Sequence, residues 1–472
     1  MTPAADRVPL RIKLGYANSS IAYAIKDNGF SVFLLLFYNQ VIGLDAGLVG
    51  LAVMVALFLD AIVDPIVGHF TDRTYTAWGK RHPWLYSAIL PVVIFWLLLW
   101  HPPQASEPVL FLWLVTMAFL LRASVSCYEI PSLAITAEIT ADYDERTDMT
   151  RWRFLFGWMG GLAMIMLTYG AFLVPEPGFP VGTLNPNGYH LFAIVGAVVM
   201  AIGMLTAALS THRRIATRPL TRLPARSAKE TLRELSETLS NRAFLILIGA
   251  VFFAYLNQGV SFALANYLLT FVWQIPQTGF LIYAATLGIG VLLAFVLIGP
   301  LQRRFGKVNV AVCAGLTSIS IATLPYWLRL AGVFPDAGSP ILMPLLFSII
   351  TIGNGFGVCV QILGQSMTAD VVEASQAETG RRAAGVFYAG FFFTQKCATG
   401  VGIFLSGMLL KASAFPAGAK PGAVSETTLD QMTLYYAAAT VLIGLTGSTI
   451  MRRFPINRAD HEARLSALAK VA

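Results

Sequence analysis

The chain has 472 residues, of which 56% are hydrophobic and only 12% charged. A soluble globular domain carries roughly 25% charged residues, so there is too little charge here to cover the two or three soluble domains that this length would otherwise imply. The formal net charge of +8 does not point to nucleic acid either, because the basic residues stand in short clusters between apolar runs rather than along one face.

Those apolar runs are about twenty residues long, the length of a helix that crosses a hydrocarbon core. The N-terminus, MTPAADRVPLRIK, shows no apolar run followed by a cleavage site. The first spanning helix is therefore expected to serve as an uncleaved insertion signal. Spanning helices are expected at 13–37, 45–70, 83–102, 107–137, 154–174, 188–210, 243–272, 278–300, 308–331, 340–365, 385–411 and 432–451.

Basic residues set the expected orientation. Arg7, Arg11 and Lys13 precede the first helix; Arg73, Lys80 and Arg81 follow the second, and Arg146 and Arg151 the fourth. A run from Arg213 to Arg233 follows the sixth, Arg303, Arg304 and Lys307 the eighth, Arg381 and Arg382 the tenth, and Arg452, Arg453 and Arg458 the twelfth. The opposite loops, 39–45, 102–108, 175–189, 273–279 and 333–339, are nearly empty of Lys and Arg, and only Lys411 and Lys420 break the pattern. Both termini are expected on the cytoplasmic side of a bacterial inner membrane.

The segment 211–242 is the one long internal linker, and its SAKETLRELSETLSN stretch reads as an amphipathic helix lying near the membrane. It separates a first six-helix half (1–210) from a second (243–451), with a cytoplasmic tail at 452–472. The halves look like copies. Gly68-His-Phe-Thr-Asp72-Arg73 with Gly79-Lys80-Arg81 follows helix 2, and Gly299-Pro-Leu-Gln-Arg303-Arg304-Phe-Gly306-Lys307 follows helix 8. Thr136-Ala-Glu138-Ile ends helix 4 as Thr368-Ala-Asp370-Val ends helix 10. The expected fold class is an all-α membrane protein of about twelve transmembrane helices in two pseudo-symmetric halves, which resembles the major facilitator fold.

An ionised group near the bilayer centre costs roughly 2.5–3.5 kcal/mol even on lenient insertion scales. The charges inside spans are therefore candidate functional groups: Lys26 and Asp27 in helix 1, Asp60 and Asp64 in helix 2, Arg122 and Glu129 in helix 4, and Lys396 in helix 11. Asp60 and Asp64 are four residues apart and share a helix face. Two such carboxylates repel unless a cation or proton sits between them, which is the requirement for cation coupling; anchoring of helix 2 is the plainer alternative. Glu129 shares a face with Arg122, so a salt bridge between them is the plainer reading, and Ser126 lies one turn before it. Lys396 needs an acidic partner from the first half, whether as a bridge that forms and breaks or as static packing. Lys26 and Asp27, about 100° apart, are placed to satisfy each other in part. Asn257, Gln258 and Asn266 in helix 7, with Asn354, Gln361 and Gln365 in helix 10, read as interhelical hydrogen-bonding groups before ligands. Tyr16, Trp158 and Tyr388 are candidates to stack on a solute, although aromatics in spans usually face lipid or core. Asp72 and Arg73, with Arg81 and Asp370, are read as gating or structural groups.

Four cysteines (Cys127, Cys313, Cys359, Cys397) fall in apolar segments without CxxC spacing and read as buried packing residues. The six histidines are scattered and show no metal-ligand pattern, so neither a metal site, a cofactor nor an enzyme is expected. A sensor is not expected, because no soluble signalling domain is read among these residues.

Several motifs together resemble one family. Lys13-Leu-Gly-Tyr16 opens helix 1, Asp60-Ala-Ile-Val-Asp64-Pro65 leads to Gly68 and Asp72, and Trp78-Gly-Lys-Arg81-His-Pro-Trp84 follows. Glu129-Ile-Pro131, Ser366-Met-Thr-Ala-Asp370 and Lys396 continue the match. The whole chain resembles the glycoside–pentoside–hexuronide:cation symporters. The resemblance implies Asp60, Asp64 and Ser126 for the coupling cation and Glu129 for substrate hydroxyls, with Lys396 linking the halves and Arg153 matching a family arginine after helix 4. The sugar-binding aspartate of helix 1 in that family falls on Ala24, with Asp27 one turn on as a possible substitute. The stacking tryptophan of helix 4 falls on Leu133, which argues against a galactoside, and the extra amide of the cation site falls on Val63. With that amide absent, H⁺ is favoured over Na⁺. The expectation is a monomeric symporter that imports a sugar, glycoside or uronide by alternating access, with a lysolipid or drug carrier as the alternative.

Overall fold

The computed structural model describes residues 7–140, 142–216, 240–379 and 384–456. Twelve long helices account for almost all of them: α1 (Leu10–Val41), α2 (Ala46–Asp72), α3 (His82–Leu99), α4 (Glu107–Ile139), α5 (Tyr143–Leu167), α6 (Pro186–Ala216), α7 (Arg242–Tyr267), α8 (Gln277–Phe305), α9 (Lys307–Leu330), α10 (Leu342–Thr379), α11 (Ala384–Ala412) and α12 (Glu426–Met451). Among the described residues the β content is two isolated bridges in loops, Thr76 with Gly79 and Glu176 with Phe179. Eleven of the helices are apolar enough, over a sufficient length, to cross a membrane. The remaining one, α11, is 29 residues long, and its apolar run is diluted by Thr394, Gln395 and Lys396.

Each expected span coincides with one of these helices, and the chain is an integral, multi-pass membrane protein. Several helices outrun their apolar stretch. α10, expected to end at 365, continues as one helix to Thr379, because the hydropathy that limits a span does not limit backbone hydrogen bonding beyond it. α6 likewise extends to Ala216, while 217–239, which holds most of the expected amphipathic helix, lies outside the described residues. Cys313, read as a buried packing residue, is exposed: it sits on the outer face of α9, where hydrophobicity serves lipid contact as well as packing.

Starts are fixed by side-chain caps that satisfy orphan N–H groups. Asp45 accepts from Leu48 N at 3.1 Å, Asp142 from Glu145 N at 2.9 Å, Asn241 from Phe244 N at 2.9 Å and Ser425 from Thr428 N at 3.2 Å. α1 is irregular. Its helical path is widened by two π-turns, Gly29–Phe33 and Phe37–Val41, and such turns are frequent where a helix serves a functional site.

The chain divides into two compact units, Met1–Leu223 with Pro416–Ala419, and Pro224–Phe415 with Lys420–Ala472. In the first, α4 packs on α2 and α3, α1 on α5 and α6, and α3 on α6. One end of this unit is closed by interlocked rings: Phe33, Phe37, Trp96, Trp100, Tyr189 and Phe192, with Trp100 stacked on Tyr189 at 5.9 Å. Trp96 donates to Ala193 O at 2.9 Å, so the indole keeps a polar partner in the core.

In the second unit α7 packs on α11 and α12, α10 on α8 and α9, and α9 on α12. The α7–α11 seam is backbone on backbone. A Cβ at Gly402 would lie 2.5 Å from Leu256 O, and one at Gly259 would lie 2.7 Å from Thr399 O, so small residues are required as in other close membrane crossings. Gly402→Val is accordingly expected to force the helices apart and to destabilise this unit by about 1–3 kcal/mol. The check is a lowered unfolding temperature of the purified protein; an unchanged value would show that the seam relaxes freely.

Candidate functional site

The chemistry-bearing residues of the first unit meet where α2 and α4 cross beside the middle of α1. Asp60 is 2% exposed and Arg122 3%. Arg122 donates through Nε to Asp60 Oδ2 at 2.9 Å, and its Nη2 lies 2.7 Å from the same oxygen. Its guanidinium also lies 5.1 Å from the Phe30 ring centroid, over the face of the ring. The other oxygen of Asp60 accepts from Ser126 Oγ at 2.8 Å, and Asp64 Oδ1 lies 2.6 Å from that same hydroxyl. Asp60, Asp64 and Ser126 are thus brought together around one hydroxyl.

The spacing within helix 4 pointed to Glu129 as the partner of Arg122; the structure pairs Arg122 with Asp60. Seven residues along one helix separate two side chains by about 10 Å of rise, whereas Asp60 faces Arg122 directly across the α2–α4 contact. Nothing in the spacing within helix 4 signals this pair. One basic residue among three acids on two neighbouring spans is the only hint the sequence carried.

Proline shapes both helices here. Pro65 in α2 and Pro131 in α4 supply no N–H, so the carbonyls of Ala61 and Cys127 lose their helical donors one turn upstream.

Glu129 lies on the next turn of α4 and lines a small gap of about 10 Å³ with Tyr23, Tyr128, Ser132 and Arg153, room for no more than a water molecule. Arg153 donates to Ser132 Oγ at 2.9 Å and Ser19 Oγ at 3.4 Å and stacks over Tyr16 at 5.0 Å. Tyr16 is fully buried, its hydroxyl donating to Ser132 O at 2.8 Å. This candidate aromatic is a framework residue rather than a stacking platform. Lys26, 2% exposed, pairs with its neighbour Asp27 at 2.8 Å and lies 4.1 Å from the Tyr23 ring. Leu133, where the family's tryptophan falls, is 50% exposed on α4, as is Trp158 on α5 at 49%.

A second cluster stands at the far end of α2. Arg81 binds Asp72 at 2.5 Å, Glu138 at 2.9 Å and Thr71 Oγ1 at 2.8 Å. Arg73, expected beside Asp72 in this cluster, is instead exposed and contributes its backbone N–H to the end of α2. Arg73 follows the last helical turn, so its side chain leaves the helix face that carries Asp72. Lys13 joins Glu145 at 2.8 Å and Asp148 at 2.7 Å, which ties the start of α1 to α5.

Three candidates belong to the second unit. Asp370 is held by Lys307, each oxygen 2.7 Å from Nζ. Tyr388 stands in the second turn of α11. Lys396 is half-buried on α11. Among the described residues no group of three or more His, Cys, Asp or Glu is arranged to hold a metal ion.

The family model described as MFS/sugar transport protein matches residues 15–458. An uncharacterized symporter of Synechocystis is 26% identical, the match covering 97% of this chain and 96% of the relative. An isoprimeverose transporter of Lactiplantibacillus pentosus is 26% identical over 87% of this chain and 82% of its own. The xylose transporter XylE from E. coli, solved in an inward-open conformation, superposes with a TM-score of 0.60 at 14% identity, covering 97% of this chain and 98% of that one. That likeness establishes the major facilitator fold. With the family model spanning nearly the whole chain, and symporters among its relatives, this protein belongs to the MFS/sugar transport protein family.

Proposed function

We propose that this chain is a proton-coupled symporter that imports a neutral or acidic sugar derivative across a bacterial inner membrane by alternating access, with both termini cytoplasmic. The observation that carries this reading is the Asp60–Arg122–Ser126–Asp64 cluster. Two carboxylates and one guanidinium leave a single net negative charge, so one added cation neutralises the group. Arg122 is fixed on Asp60 and stays charged, which leaves Asp64 as the carboxylate that takes and releases the coupling ion. Sodium prefers several oxygen ligands and no cation beside it, whereas a proton needs one carboxylate oxygen. The fixed guanidinium and the apolar Val63 therefore favour H⁺. The family of sugar transporters to which the chain belongs, and the isoprimeverose transporter among its relatives, support a sugar-class solute. Glu129 and Arg153, with Asp27, are assigned to the solute, and Lys396 and Tyr388 to its second-unit side. Arg81 and Asp72, with Asp370, are assigned to holding and releasing the helix ends as access alternates.

The test is the pH of a lightly buffered, de-energised suspension of cells expressing the protein, pulsed with sugars, glycosides and uronides one at a time. Alkalinisation with one solute identifies the substrate and the ion together. Silence across the panel, with uptake appearing only when sodium is added, would replace H⁺ by Na⁺. Uptake of a lysolipid alone would overturn the sugar reading. Glu129→Gln is expected to weaken the responding solute by about tenfold or more, in line with a lost charge-assisted hydrogen bond of about 1.5–3 kcal/mol. Half-saturation in the same assay measures it.

A further inference from the structure

The first unit includes four residues from far along the chain. Pro416–Ala419, in the connection between α11 and α12, belong to it, whereas the flanking Phe415 and Lys420 belong to the second unit. One side chain holds this strap. Gln40, 6% exposed in the second π-turn of α1, donates from Nε2 to Pro416 O at 3.1 Å and accepts at Oε1 from Ala419 N at 2.8 Å. Its amide has one workable orientation, because a backbone N–H only donates and a carbonyl only accepts. The amide is also aimed in advance. Gln40 Nε2 donates to Asn39 Oδ1 at 2.6 Å, and Asn39 Nδ2 donates to Leu44 O at 2.8 Å.

Both flanks of the strap are rooted in the second unit. The Phe415 ring lies against Tyr267 and Phe271, where α7 ends, with centroids 5.7 and 4.9 Å away. Lys420 O accepts from Ala423 N at 3.0 Å in the turn that leads to α12. Upstream, Ala414 turns the chain out of α11 at φ +52°, a left-handed conformation that an alanine keeps only where its surroundings enforce it. Four residues reach about 14 Å at full stretch, and Gly418 at φ +63° bends them. A strap this short follows either Gln40 or its own flanks, and not both, once the two move apart by more than its slack.

We infer that Gln40 is a reversible clasp. The strap has two positions: seated on Gln40, as in this structure, and released from it when the end of the first unit that carries the 39–45 loop opens. No charge and no covalent bond holds it. Two neutral hydrogen bonds favour the seated position by about ten- to a hundredfold, which leaves release within reach of thermal motion. The clasp takes its meaning for transport from the alternating-access reading, but its release is observable without any solute.

The test is a spin-label distance measurement on the full-length protein in lipid nanodiscs, its native cysteines replaced by alanine and nitroxides attached at Gln104→Cys and Ala417→Cys. Both positions are exposed. Gln104 follows α3, whose end is tied to α1 by Tyr38 donating to Leu99 O at 2.7 Å, so it serves as the fixed reference. With Gln40 present, a short distance is expected to dominate over a minor longer one. Gln40→Ala is expected to raise the longer population at least fivefold, and to speed amide exchange of the 416–420 segment by a similar factor. Gln40→Glu keeps an acceptor for Ala419 N but has no donor for Pro416 O, and is expected to fall between the two. Ala419→Pro removes the donor from the strap's side while leaving α1 intact, and repeats the test should Gln40→Ala not fold. One short distance with unchanged exchange in these variants overturns the inference, because the strap is then static packing. Release in the variants upholds the clasp even where the whole sugar panel stays silent, and that silence then counts against the substrate reading alone.

Discussion

Asp64→Asn is expected to abolish proton movement with the solute while leaving the protein folded. Asp64 is only half-buried, and its carboxylate shares the Ser126 hydroxyl with Asp60, so an amide of the same shape keeps that contact and loses only the charge. With Asn in place the cluster is already neutral, Asp60 balanced by Arg122, and no cation is needed before the solute moves. The solute should then equilibrate across the membrane rather than accumulate. The ratio of internal to external solute falls to about one. Counterflow of labelled against unlabelled solute should persist, because exchange needs no net proton transfer. Parallel measurement of accumulation and counterflow checks this. Intact accumulation in Asp64→Asn would assign the coupling proton to another group.

Arg122→Leu is expected to be the most damaging single change in the first unit. It leaves the Asp60 carboxylate, 2% exposed, facing an apolar side chain where the guanidinium had been. Removing one partner of a buried ion pair costs about 3–5 kcal/mol because the other charge stays buried and unpaired. Loss of the contact over Phe30 adds to it. The single variant should therefore accumulate poorly and unfold at a markedly lower temperature, while Arg122→Leu with Asp60→Leu recovers most of the loss, since an apolar pair of similar volume leaves no stranded charge. Fluorescence-detected size exclusion on detergent extracts, with a thermal ramp, compares the two. If single and double variants lose the same amount, the pair is not the source of the stability.

The architecture was legible because lipid imposes a simple rule. Runs of apolar residues long enough to span, alternating with basic and neutral loops, leave few arrangements open, and the repeat of the motifs after α2 and α8 points to two halves. The Asp60–Asp64 spacing was likewise readable, since i, i+4 residues on one helix share a face, while Ser126 beside them was implied only by the family resemblance. The partner of Arg122 was not. Which charge meets which across two helices depends on their rotation about their own axes, and periodicity within a single helix says nothing of that. The same blindness hid a cavity in the second unit. Asn257, Gln258 and Gln361 read as helix-to-helix hydrogen-bonding groups, the commonest role for amides in spans, and only packing reveals that they border an unfilled space.

The two π-turns of α1 have a mechanical meaning beyond their place in the fold. A π-turn is an α-helix holding one surplus residue, and the surplus can be passed along the helix one position at a time without breaking the segments on either side. Each passage rotates the residues it crosses by about 100° and shifts them by about 1.5 Å. The turn at Gly29–Phe33 begins directly after Lys26, Asp27 and Asn28 and contains Phe30, on which Arg122 rests. Moved one step towards the N-terminus, it would re-aim Asn28; three steps would swing the Lys26–Asp27 pair to a new bearing while Phe33 and Phe37 stay locked among the rings at the end of the unit. The first of the two π-turns of α1 is thus placed where its displacement would re-aim the charged residues while the ring-locked end stays fixed.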